Sequence, residues 1–193
     1  MLGASHPLTE FEWSIVKRHS ACTPLAQLEI EWLRKQGIPS SALAHPDLLL
    51  RADVHFRALR FAYPDEIEPD AEMERALILL VRDADGHPHD LAAWAPRSRR
   101  LATWCGRAVC IGNAMGPRLN EHGALPVYPS PLEWLQEGCD GIVIIDPVAA
   151  SHELFDLGPI AAMGGAEHAR ELKALFEGLA PCIIAGTVLT SAI

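Results

Sequence analysis

Residues 130–147, SPLEWLQEGCDGIVIIDP, leave the backbone few choices, and the rest of the chain is organised around them. Ser130 and Glu133 stand at the spacing of a capping box, in which each side chain satisfies the other's backbone N–H. Pro131 falls at the first helical position, where its missing N–H costs nothing. Pro129 and Trp134 occupy the flanking apolar positions that fix how the chain enters the helix. Gly138 supplies a left-handed stop, so the helix is short. Residues 124–128, ALPVY, precede it and 141–146, GIVIID, follow it. An unbroken β-branched run suits a strand covered on both faces. The connection is about as short as a parallel crossover allows, which predicts a right-handed β-α-β unit. Asp146 stands at the carboxyl end of the second strand, where α/β proteins place ligand groups. Followed by Pro147, it also reads as an ordinary helix cap, and the cap is the expectation here.

Upstream, Thr9 to Glu12 forms a second capping box and opens a short helix. Thr23-Pro24 opens another, with Leu25, Leu28, Trp32 and Leu33 expected on its inward face and Gly37 as its stop. Together they predict an N-terminal helical hairpin. Residues 52–61 alternate as a strand. Residues 65–74, DEIEPDAEME, carry six carboxylates and read as a solvated loop. Residues 76–82, ALILLVR, and 90–95, DLAAWA, flank an Asp-Gly turn and predict a hairpin. Residues 101–104 and 108–111 predict a second hairpin turning at Gly106, which makes the middle of the chain an antiparallel meander. After the central unit come a short helix over 148–155, an amphipathic helix over 166–177 stopped by Gly178, and a last apolar strand over 182–188.

Hydrophobic residues make up 49% of the 193 positions and charged ones 21%, the balance of a globular chain. The five cysteines, Cys22, Cys105, Cys110, Cys139 and Cys182, include no C-x-x-C pair. That speaks against a disulfide framework or a zinc ribbon and predicts reduced thiols in a cytoplasmic protein. Residues 1–13 lack the basic and apolar regions of a secretory signal, and no apolar run is long enough for a membrane helix.

Two clusters carry candidate chemistry. The first is Asp83, Asp85, His87, His89 and Asp90 in RDADGHPHDL. Carboxylates and imidazoles together suit a divalent metal and a metal-activated water. H-x-H-D resembles a metal-ligand segment of metallo-β-lactamase-like hydrolases, although Leu91 stands where that family continues with histidine. The plainer reading is a polar hairpin tip. The second cluster is basic. Between Leu91 and Leu132 the one acid is Glu121, against Arg97, Arg99, Arg100, Arg107 and Arg118, with Trp94 and Trp104 among them. Arginines interleaved with aromatics on a sheet are one way of holding single-stranded nucleic acid. The net charge of −9 opposes nucleic acid globally, and the plainer reading puts both tryptophans in the core. Nucleophile elbows, Walker patterns and dinucleotide fingerprints are absent from the sequence.

The hairpin LILLVRDADGHPHDLAAW, the unit over 124–145 and the helix and strand expected over 164–186 together resemble, in layout, plasmid and phage primase-type proteins with a toprim domain. The resemblance covers about residues 76–186. Toprim chemistry rests on a Glu ending the first strand and a D-x-D ending a later one, which hold Mg²⁺. Here those places read Tyr128-Pro129-Ser130 and Ala185-Gly186-Thr187. The resemblance therefore implies a scaffold without the metal centre.

The sequence thus predicts one α+β (mixed α/β) domain over 1–193: a helical hairpin (1–50), an antiparallel meander (51–123) and a β-α-β-α-β portion (124–193). The functional expectation is a cytoplasmic, non-catalytic accessory protein of phage or plasmid DNA metabolism. It needs no cofactor, and its partner is single-stranded nucleic acid or a replication protein. A metal-dependent hydrolase centred on residues 83–90 and an oligomeric interaction module are the alternatives.

Overall fold

The computed structural model describes residues 7–44, 49–112, 123–154 and 159–177. The N-terminal part holds α1 (Glu10–Ser20), the two-residue strand β1 (Thr23–Pro24), α2 (Gln27–Lys35) and α3 (Ser40–Leu43). The middle holds β2 (Leu50–Arg57), β3 (Arg60–Ala62), a 3-10 turn (Pro64–Glu66), β4 (Glu74–Arg82), β5 (Pro88–Ala95), β6 (Arg100–Thr103) and β7 (Cys110–Gly112). Then follow β8 (Leu125–Tyr128), α4 (Pro131–Gln136), β9 (Ile142–Ile144), α5 (Pro147–Leu154), β10 (Ile160–Ala162) and α6 (Gly165–Glu177). This is an α+β protein.

The central meander closes on itself. β2 pairs antiparallel with β4 through residues 50–54 and with β3 through residues 55–57. β4 pairs with β5, β5 with β6, and β6 meets β3 at the single parallel pair Arg60↔Thr103. The strands therefore run in a ring, β2-β3-β6-β5-β4 and back to β2. Closure explains the apolar composition of ALILLVR and DLAAWA. Alternate residues point to opposite faces of a strand. Val54, Phe56, Phe61, Ala76, Ile78, Leu91, Ala93 and Ala102 form a core inside the ring, joined by Ile15 from α1. Leu77, Leu79, Val81, Ala92 and Trp94 point outward into a second core. Both faces of β4 and β5 are thus dry.

The outward core lies between this ring and a second sheet, ordered β10-β8-β9-β7. β8 runs parallel to both β9 and β10, while β7 is antiparallel to β9. Ile111, Tyr128, Val143 and Ile145 face the ring together with Trp134 and Leu135 of α4. Cys110, Leu125, Val127 and Ile142 face the other way, against Ala150 and Leu154 of α5 and Leu172 of α6. The second sheet is buried on both faces, as the GIVIID run predicts.

Several expectations change in detail. α1 and α2 form as helices, and the short β1 between them adds to β2. The strand expected over 52–61 is two strands, turning at Ala58, which adopts φ +51°. The hairpin expected at Gly106 does not form: β6 stays in the ring and β7 crosses to the second sheet. The capping box at Thr9 is complete, with Glu12 N donating to Thr9 Oγ1 at 3.2 Å. At α4, Ser130 Oγ accepts from the N–H of Leu132 at 3.2 Å and donates to the Glu133 carboxylate, a variant of the box. Asp146 is a helix cap, its Oδ1 accepting from Val148 N at 3.0 Å and Ala149 N at 3.1 Å. β10 has no sequence signature, since four apolar residues between Pro159 and a Gly-Gly are too few for a period. The strand expected over 182–188 and the stop at Gly178 lie outside the described residues.

Candidate binding cleft

The five residues of the RDADGHPHDL cluster do not converge. Asp90 on β5 is fully buried and points into the protein. Its Oδ1 accepts from the N–H groups of Leu91 (2.7 Å) and Cys105 (2.9 Å). Its Oδ2 accepts from those of Arg107 (2.7 Å) and Ala108 (3.2 Å). The carboxylate is the hub around which residues 104–108 are wound. This hub replaces the hairpin expected at Gly106, because a loop held by its own amides cannot pair as a ladder. Arg60 closes the loop from outside: Nη1 donates to the Trp104 carbonyl at 3.3 Å, and a Cβ on Gly106 would collide with the guanidinium. Asp83 is used by the turn, its Oδ1 accepting from Asp85 N at 3.0 Å and His87 N at 2.8 Å. His87 Nδ1 lies 3.2 Å from Glu12 of α1. Asp85 is exposed and His89 half-buried. Among the described residues, no three His, Cys, Asp or Glu side chains are placed to hold a metal ion.

The basic cluster also divides. Trp94 is 5% exposed and belongs to the core between the sheets, so it offers no face to a base. Trp104 packs edge-on to Tyr63, with the Arg18 guanidinium 5.5 Å from its ring centre. Its Nε1 donates to the Glu66 carboxylate at 3.1 Å. Arg107 lies 3.8 Å over the ring of Phe11 and ties the loop to α1. Arg118 lies outside the described residues. Arg97, Arg99 and Arg100 remain together, exposed, on the turn between β5 and β6. Arg99 adopts φ +58°, a left-handed conformation that costs a non-glycine residue on the order of 1 kcal/mol.

That turn forms one side of a cleft of about 930 Å³ at the end of the β4–β5 ladder opposite the Asp-Gly turn. Arg97, Ser98 and Arg100 line it, as do Glu72, Met73 and Glu74 where the chain enters β4. Leu28, Glu29 and Trp32 of α2 line it as well. Leu28 is 78% exposed and Trp32 39% exposed, whereas Leu33 is fully buried. The inward face expected for α2 is therefore split: Leu33 packs into the core, and Leu28 and Trp32, one turn apart, front the cleft. Apolar periodicity finds such a stripe but does not say whether a neighbour covers it.

Charge in the cleft is unevenly committed. Arg75 is held bidentately by Asp53, at 2.9 and 3.2 Å. Glu29 accepts from the Ala26 N–H at 2.6 Å and pairs with Arg51 at 3.4 Å. Arg100 is preset: Nη2 donates to the Phe56 carbonyl at 3.0 Å, and its guanidinium lies 4.8 Å from the centre of the Phe56 ring. Arg97 makes no ion pair with any described residue. What is left for an incoming group is Arg97 and the preset Arg100, the carboxylates of Glu72 and Glu74, and the apolar pair on α2.

The four described thiols are poor nucleophiles. Burial pushes Cys105 and Cys139 up to about 11 and Cys110 to about 12, and it raises Cys22 as well. Several carboxylates shift the other way. The Arg75 guanidinium lowers Asp53, the Arg18 guanidinium lowers Asp65, and hydrogen bonds from Thr9 lower Glu12. A carboxylate held below its unfolded value stabilises the fold above that value, and the contribution disappears as pH falls through the folded value. Thermal stability should therefore be flat from neutral pH down to the ordinary carboxylate values of 3.8 and 4.5, and fall below them. A melting-temperature series against pH checks this. Arg75→Gln should make the acid limb shallower; an unchanged limb would show that the Asp53 pair contributes nothing.

No family model, curated protein or solved structure matches the chain.

Proposed function

We propose that this is a non-catalytic binding protein whose partner, a segment of another protein, seats in the cleft between α2 and residues 96–100. One observation carries the reading: an exposed apolar pair, Leu28 and Trp32, shares a cleft with Arg97 and the preset Arg100. A contiguous apolar surface bordered by polar groups is the usual mark of an interaction site. Elsewhere, two of the side chains that the sequence offers for chemistry are engaged in holding the fold. Asp90 binds four backbone amides, and Asp83 two. A protein segment fits better than nucleic acid, because Trp94 and Trp104 are not available for stacking and Glu72 and Glu74 share the cleft with the arginines. A replication protein, the partner implied by the toprim-like layout, belongs to the same reading.

Selection of random displayed peptides on the full chain tests it. Enriched peptides should lose about tenfold or more in affinity for Trp32→Ala, since aromatic anchors dominate such sites. Enriched peptides that bind Trp32→Ala as well as the parent chain would move the site elsewhere. A parallel gel-shift with a single-stranded oligonucleotide at low salt covers the alternative. A shift abolished by charge reversal at Arg97, Arg99 and Arg100 would replace the protein partner with nucleic acid.

A further inference from the structure

We draw no further inference here: the strongest candidate, the cleft where Leu28 and Trp32 of α2 face residues 96–100, belongs to the site already described, and with Arg97 and Arg100 balanced by Glu72 and Glu74 nothing in the structure shows what covers it.

Discussion

Replacing Asp90 by alanine is expected to destabilise the protein by about 3–5 kcal/mol. For a chain of this length that lowers the melting temperature by on the order of 10 °C. The cause is local and specific. Four backbone N–H groups, of Leu91, Cys105, Arg107 and Ala108, converge on one buried carboxylate. Alanine leaves all four without this acceptor at a position where the Asp90 side chain is fully buried, and unpaired buried donors are costly. Asparagine is not a remedy, because its NH₂ must face two N–H donors that want an acceptor. Asp90→Asn should therefore recover only part of the loss. The loop over 104–108 should loosen first, seen as faster amide exchange at Cys105, Arg107 and Ala108 than in β4. A melting temperature within about 2 °C of the parent for Asp90→Ala, roughly the effect of under 1 kcal/mol, would show that the hub is dispensable.

Trp134→Ala should cost a similar amount, about 3–5 kcal/mol from lost burial and the cavity left behind. Trp134 is 3% exposed and stands where α4, the second sheet and the outer face of the ring meet. Its Nε1 donates to the Gly141 carbonyl at 3.0 Å. Gly141 occupies a position that admits only glycine. It holds φ +79°, and a Cβ there would collide with the carbonyl of Pro126 on the neighbouring strand. Trp134→Phe separates the two contributions: it keeps most of the volume and removes the hydrogen bond, for a smaller loss of about 1–3 kcal/mol. Denaturant midpoints at constant slope measure both variants. A Trp134→Ala midpoint equal to that of the Phe variant would mean that packing at this junction contributes little.

Both side chains could be singled out in the sequence, but only one for the right reason. Trp134 was legible because capping signals and helical spacing point it inward from α4. Asp90 was legible only as a charged group among histidines and other carboxylates, which suggests a metal site. Three of its four partners are amides 15 to 18 residues away, and no local pattern encodes them. The cleft is a similar case. Arg97, Arg99 and Arg100 are conspicuous in the sequence, but their neighbours Leu28 and Trp32 come from a helix some seventy residues earlier. Periodicity placed those two in the core because an apolar stripe looks the same whether it is covered or left open.

By itself the sequence determined the elements whose cause is local: the capping box at Thr9, the Ser130 cap of α4, the Asp146 cap, the Asp-Gly turn, the buried strands around residues 76–82 and 142–144, and hence the α+β class. These follow from hydrogen bonds within a few residues and from the two-residue period of side chains on a strand. Only the tertiary structure decided that the meander closes into a ring, that β7 leaves it for a second sheet, and that an exposed apolar pair meets an arginine turn. Each of those depends on contacts between residues far apart in the chain. Their energies arise from which surfaces end up dry, and a linear pattern records apolarity without recording what it will be pressed against.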